Sequence, residues 1–203
     1  MGKVIVMNGM TLDGVMQAPG RPDEDPRGGF EHGGWGRPYG DEAMVAKWGQ
    51  RLTELTGGKH AWLFGRWTYQ QLLTYWNAQG GPFKDRLNEI HKYVASNTPE
   101  TRLEWPNSSL LRGDVPAAVA DLKQSSDTNL VIMGSGVLIG SLMAPDLIDE
   151  YLISIAPIVL GTGRRMFPEG VHASLRLTDS DTTSRGVLIA TYQPANNSAN
   201  DAP

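Results

Sequence analysis

Leu130-Val131-Ile132-Met133, then Gly134-Ser135-Gly136, then Val137-Leu138-Ile139-Gly140-Ser141-Leu142-Met143 place an apolar run, a glycine turn and an apolar helix in direct succession. The run has no polar face, as expected of a strand covered on both sides of a sheet. Pro145 limits the helix that follows. A strand feeding a helix through a tight turn is the unit from which parallel sheets are wound, so this stretch sets the fold class as α/β.

The same unit recurs on either side. Val4 to Met7 is a short β-branched run that ends in the turn residues Asn8-Gly9 and Asp13-Gly14. Ala61 to Phe64 leads through Gly65-Arg66 into a helix expected from about Thr68 to Tyr75. Met44, Trp48, Leu52 and Leu55 repeat at helical spacing behind Asp41 and Glu42, which predicts an amphipathic helix over 41–55 closed by Gly57-Gly58. Phe83, Leu87 and Ile90 mark another helix, and Tyr93 to Ala95 a strand stopped by Ser96-Asn97-Thr98-Pro99. Ser109 to Leu111 reads as a short strand, after which Asp114 caps a helix to about Gln124 with Pro116 in its first turn. Asp149 to Ile158 reads as a long strand, and the segments Ser174 to Thr182 and Val187 to Gln193 as an antiparallel pair joined near Ser184-Arg185-Gly186. The expectation is one domain over 1–193, a three-layer α/β fold whose mixed, mainly parallel sheet is flanked by helices and carries antiparallel C-terminal strands. A polar tail over 194–203 is expected to be disordered.

Composition narrows the chemistry. The 203 residues carry 18 Lys and Arg against 22 Asp and Glu, a formal charge of -4, and no cluster of basic residues, which disfavours a nucleic-acid partner. Cysteine is absent, so thiolate chemistry and disulfides are excluded. The four histidines (His32, His60, His91, His172) are scattered with no ligand spacing, so no metal site is expected. No G-x-S-x-G elbow supports a hydrolase, and no apolar run is long enough to span a membrane. A cytoplasmic location is expected. The 22 residues from Pro19 to Gly40 have no period yet hold Phe30, Trp35 and Tyr39, which suits a binding loop or a lid over a ligand.

Ligands of open α/β sheets bind beyond the carboxyl ends of the strands, where helix N-termini offer free amides to anions. Gly134-Ser135-Gly136 suits a pyrophosphate cradle and equally an ordinary tight turn, since Gly140 gives G-x-G-x-x-x-G and not the dinucleotide fingerprint. Gly65-Arg66-Trp67-Thr68 offers a strand-end glycine, a guanidinium and a hydroxyl to a second phosphate, or else is a capped helix beside a surface arginine. Asp13 is either a ligand-facing carboxylate or half of an Asp-Gly turn.

Taken in order, Thr11-Leu12-Asp13-Gly14, Gly65-Arg66-Trp67-Thr68-Tyr69, Tyr93-Val94-Ala95-Ser96, Val131-Ile132-Met133-Gly134-Ser135-Gly136, Leu147-Ile148-Asp149-Glu150 and Pro157-Ile158-Val159-Leu160-Gly161-Thr162-Gly163 with Phe167 resemble the dihydrofolate reductase-like superfamily. Within it they resemble the reductase domain of riboflavin biosynthesis, over about residues 3 to 193. The resemblance implies an oxidoreductase that binds NADPH and passes a hydride to a small heterocyclic, pteridine-like or pyrimidine-like substrate. By position it assigns Gly65, Arg66 and Thr68 to the adenosine 2'-phosphate side, with Ser96 and Asn97 near the adenine ribose. Gly134, Ser135, Gly136, Val137 and Leu138 fall at the pyrophosphate, and Gly161 at a second glycine turn near the cofactor. Asp13 and Asn8 fall at the nicotinamide and substrate, with Asp13 or a bound water as the proton source, under an aromatic lid such as Trp35. The folate enzymes place a carboxylate on the first helix facing the pterin, and Asp41, Glu42 and Glu54 do not align with it. A non-catalytic nucleotide binder and a flavin- or deazaflavin-using reductase are the competing readings. A homodimer is expected by analogy, with the apolar strand Leu152 to Val159 either supplying its surface or lying buried in the sheet.

Overall fold

The structure, a computed structural model, describes residues 1–195. Eight strands form one sheet in the order β4-β3-β2-β5-β1-β6-β8-β7. The central strands β1 (Val4–Thr11), β5 (Asn129–Ile132) and β6 (Glu150–Ala156) run parallel, as do β2 (His60–Gly65), β3 (Lys92–Ala95) and β4 (Ser108–Leu111) beyond β5. On the other side β8 (Leu188–Pro194) pairs antiparallel with β6 and with the edge strand β7 (Leu175–Thr182). Alternation along β1 sends side chains to two separate cores. Ile5 and Met7 meet α1 (Glu42–Thr56), α2 (Arg66–Gln79) and α3 (Pro82–Glu89), whereas Val4 and Val6 meet α4 (Val115–Ser125) and α5 (Gly136–Met143). Asp41 caps α1 by accepting from the Met44 amide at 2.8 Å, and Asp114 caps α4 from Ala117 at 3.1 Å.

β1 runs four residues past Met7, through Asn8-Gly9, because its pairing with β6 continues from Asn8↔Ile153 to Thr11↔Ala156. The strand over 149–158 is shorter than expected and ends at Ala156, before Pro157. It lies between β1 and β8 with Leu152 and Ile153 fully buried, so it offers no surface to a second copy. Pro194 closes β8 and the Ala195 amide donates to the Ser174 carbonyl, so the expected tail begins later than 194; residues 196–203 lie outside the described residues.

The chain leaves β1 toward the α1 layer and leaves β5, its neighbour, toward the α5 layer. Connections that part to opposite faces open a crevice at the strand ends between them. Segment 14–16 then pairs with 164–166, with a Val15↔Arg165 bridge, Met16 N to Arg164 O at 2.9 Å and Met166 N to Gly14 O at 3.0 Å. This binds the loop after β1 to the loop after β6 and walls the crevice.

Candidate active site

A cleft of about 980 Å³ occupies that crevice. One wall is the turn after β5. Gly134 and Ser135 both have positive φ, 76° and 73°, and the second is costly for a residue with a Cβ. Ser135 is nevertheless the N-cap of α5, its Oγ accepting from the Leu138 amide at 3.4 Å. The turn lies so close to β2 that a Cβ on Gly65 would sit 2.3 Å from Ser135 Oγ and 2.8 Å from its Cβ. It thereby presents the first-turn amides of α5, which have no carbonyl four residues back, at the cleft surface. Gly134, Ser135, Gly136 and Val137 all line the cleft, and Thr68 reaches it from α2.

The loop 19–40 forms the opposite wall. Gln17 holds it by donating to the carbonyls of Asp25 (2.9 Å) and Arg27 (2.8 Å) while accepting from the Arg164 amide at 2.9 Å. Asp25 and Arg27 form a two-point ion pair with both contacts at 2.6 Å. Burial alone would raise the Asp25 carboxyl, and the Arg27 guanidinium and amide more than offset it, so its pKa lies below the usual value. Arg27 stacks on the Trp67 ring at 4.0 Å and Arg21 on Tyr75 at 4.2 Å, tying the loop to α2. Arg37, Arg164 and Arg165 complete a cationic rim.

Several sequence expectations change here. Trp35 lines the cleft, but it is buried against Val15, Ala18 and Phe30 and its indole N–H donates to the Gln17 carbonyl at 2.7 Å. It is a fixed wall and not a swinging lid. Asn8 lines the cleft near Met16, its amide 3.6 Å from that sulfur. Asp13 does not line it. The Asp13 carboxylate accepts from Thr11 Oγ1 (2.5 Å) and from the amides of Leu160 (3.2 Å) and Gly161 (2.8 Å). Led by the Thr11 contact, these bonds hold its pKa down at about 2, which removes it as a proton donor near neutrality. Gly161, at φ 73°, is the other half of that clasp and lies off the cleft surface.

Ser96 is equally committed, its hydroxyl accepting from the Thr98 amide at 3.1 Å and sharing a 2.7 Å bond with Thr101, while Asn97 is exposed; neither lines the cleft. The Leu138 side chain is buried in the α5 core, so only its amide takes part, as the donor to Ser135. Gly65 acts from beneath the turn. Arg66 is exposed at the first position of α2, just outside the cleft lining, with no ion pair among the described residues. Sequence reading missed Gln17, Arg27, Arg164 and Arg165. For Gln17 and Arg27 the long Gly-rich loop was the available signal; Arg164 and Arg165 had none.

The Asp13 clasp is testable. Asp13→Asn is expected to cost about 1 kcal/mol of stability at pH 6. Because the folded carboxyl lies below its unfolded value of 3.8, the stabilisation is present above about pH 4 and lost as pH falls through about 2. Urea unfolding at pH 6, pH 3 and pH 2 should therefore show the gap between parent and variant narrowing by about half at pH 3 and further at pH 2.

The family model of the RibD C-terminal domain matches residues 2–189. The chain belongs to this family. Structural neighbours of the chain include reductases of the riboflavin-biosynthesis and dihydrofolate reductase types. The uncharacterized protein YwjB of Bacillus subtilis is 29% identical over 128 residues, 63% of this chain and 70% of YwjB. A pyrimidine reductase-like protein from Corynebacterium diphtheriae superposes with a TM-score of 0.63 at 12% identity, covering 97% of this chain and 93% of that one. Dihydrofolate reductase from Enterococcus faecalis, solved in complex with NADP(H), superposes with a TM-score of 0.60 at 13% identity over 96% of this chain and 98% of that one. These likenesses establish the dihydrofolate reductase-like fold for this RibD C-terminal domain. Among its described residues no helix is long and apolar enough to cross a membrane, and no three His, Asp or Glu side chains gather as a metal set.

Proposed function

We propose that this protein is an NADPH-dependent reductase that passes a hydride to a small planar molecule held in the cleft. The observation that carries the reading is the Gly134-Ser135-Gly136 turn, which opens the N-terminus of α5 into the same cavity that has an apolar floor. Amides and a helix dipole suit a pyrophosphate, and the neighbouring rim supplies Arg164 and Arg165. Residues fit the cofactor: amides of Gly136 and Val137 with Arg165 would hold the pyrophosphate, Arg66 and Thr68 the 2'-phosphate, and Asn8 the carboxamide. Bound there, the dihydronicotinamide supplies the hydride. The fixed wall of Trp35, Met16 and Met133 keeps water from the reacting face and limits where an acceptor can lie.

Four of the six tryptophans, Trp35, Trp48, Trp67 and Trp76, line the cleft, so binding reports directly in their emission. Titration is expected to show quenching by NADPH at lower concentration than by NADH. Failure of both to quench would overturn the reading. Arg66→Ala should weaken NADPH by roughly 10- to 100-fold, the value of one charge-assisted contact, and leave NADH nearly unchanged. Equal losses for both would remove Arg66 from the 2'-phosphate. Arg165→Ala should instead weaken both dinucleotides and reduce the salt dependence of binding.

A further inference from the structure

Much of the cleft is lined by thioethers and aromatic rings. Five of the eight methionines, Met7, Met10, Met16, Met44 and Met133, face it, together with Trp48, Trp76, Tyr39 and Tyr75. Among the described residues its only carboxylates are Glu24 and Asp25, and neither has two free oxygens to offer a ligand, since Glu24 takes two loop amides on Oε2 and Asp25 is paired at both oxygens. Glu24 accepts from the amides of Gly20 (2.7 Å) and Arg21 (3.0 Å), and Asp25 is closed on Arg27. Among the described residues no histidine or lysine lines the cavity, and α1 presents Met44 and Trp48 to it. Arg37, Arg164 and Arg165 are exposed at the rim, Arg21 and Arg27 are stacked on Tyr75 and Trp67, and the other polar groups are neutral, chiefly the side-chain amides of Asn8 and Gln71 and the hydroxyls of Thr68 and Ser154.

From this lining we infer that the acceptor is an uncharged conjugated carbonyl compound, a quinone or an enone, and not an amino-substituted pteridine or pyrimidine. The inference rests on the proposed reductase reading and narrows its substrate. A 2-amino-4-oxo heterocycle displays adjacent N–H donors that need a paired acceptor such as a carboxylate, and burying them unpaired is costly. A flat carbonyl compound asks only for apolar contact on its faces and one donor at oxygen, which an amide side chain supplies. Flexible methionine walls adapt to such rings.

The chemistry also fits a cleft whose described lining has no imidazole and whose carboxylates are bound into the loop. A hydride forms a C–H bond at the β-carbon of an enone, the double-bond pair moves to oxygen, and the enolate takes a proton from water. With a quinone the hydride forms an O–H bond at one carbonyl oxygen, the ring electrons shift to the other oxygen, and the hydroquinone monoanion so formed takes one proton from solvent. In both cases the dihydronicotinamide is oxidised to nicotinamide. The anion formed is delocalised, so no acid need be held at the reacting atom.

The test compares 2-methyl-1,4-naphthoquinone, 4-phenylbut-3-en-2-one and 7,8-dihydrofolate, each for binding by calorimetry with and without NADP+ and for NADPH oxidation. At least one carbonyl compound is expected to bind tenfold or more tighter than dihydrofolate and to be turned over. Which of the two does so separates a quinone from an enone substrate. The near-isosteric Gln71→Glu variant, which places a carboxylate in the cleft, should lose tenfold or more in kcat/KM for that compound and gain affinity for dihydrofolate. Tighter binding of dihydrofolate to the parent protein, or binding of none of the three, overturns the inference. If the carbonyl compound binds and NADPH does not, the reductase reading fails while the recognition chemistry stands; if NADPH binds and dihydrofolate is preferred, the reverse holds.

Discussion

Gly65→Ala is expected to cost about 1–3 kcal/mol of stability and to weaken NADPH more than tenfold, although its own backbone, at φ -75°, tolerates any side chain. The added methyl would lie 2.3 Å from Ser135 Oγ and 2.8 Å from Ser135 Cβ. The hydroxyl can rotate away, but the Cβ cannot move without its backbone, so the turn at the head of α5 must shift. That displaces the amides assigned to the pyrophosphate. Ser135→Gly removes both offending atoms, relieves the left-handed strain at φ 73°, and gives up only a long cap bond worth a few tenths of a kcal/mol. Alone it should be near neutral in stability, and combined with Gly65→Ala it should restore most of the lost stability and affinity. Denaturant unfolding and dinucleotide titration of the four proteins form a double-mutant cycle. A double variant no better than Gly65→Ala alone would show that the contact between β2 and the α5 turn is not what sets the cradle.

The glycine at 65 and the serine at 135 were both visible as turn residues, yet their dependence on each other was not. Sequence period and turn chemistry report local structure, and among the described residues they found every strand and α-helix, the central strands because parallel strands covered on both faces are uniformly apolar, but not the 3-10 turn Arg27–Gly29 in the loop. They misjudged boundaries where pairing, not composition, extends a strand: Asn8 and Gly9 look like a turn but hydrogen-bond along β6. The larger errors lie where a side chain's partner is distant in sequence. Asp13 follows the first strand just where a catalytic acid would, and amides 147 and 148 residues away take its carboxylate. Arg164 and Arg165 join the cleft only because 164–166 pairs with 14–16, which no pattern within either segment announces. Trp35 was legible as a cleft residue, but whether it swings or stands depended on one bond to the Gln17 carbonyl.

Lys92 gives the fold an unusual response to alkali. It is fully buried on β3, and its ammonium donates to the carbonyls of Leu87 (2.6 Å), Ile90 (2.8 Å) and, at 3.4 Å, Asn88, which closes the C-terminus of α3. None of these partners carries a charge, and burial lowers its pKa from 10.5 to about 8. Between those values the unfolded chain binds more protons than the folded one, so stability rises with pH, by up to about 3 kcal/mol over the whole window. Tyr151, on β6 with its side chain buried in the core, acts in the opposite sense: burial, aided by Asp146, raises its phenol from 10 to about 12, so above pH 10 the folded chain binds more protons and stability falls. The unfolding free energy should therefore climb from pH 8, peak near pH 10 and decline beyond it. Lys92→Met should abolish the climb and Tyr151→Phe the decline, each leaving the other limb in place. A parent protein whose denaturant midpoint falls steadily from pH 8 to 10 would mean that the three carbonyls hold the Lys92 proton strongly enough to cancel the cost of burial.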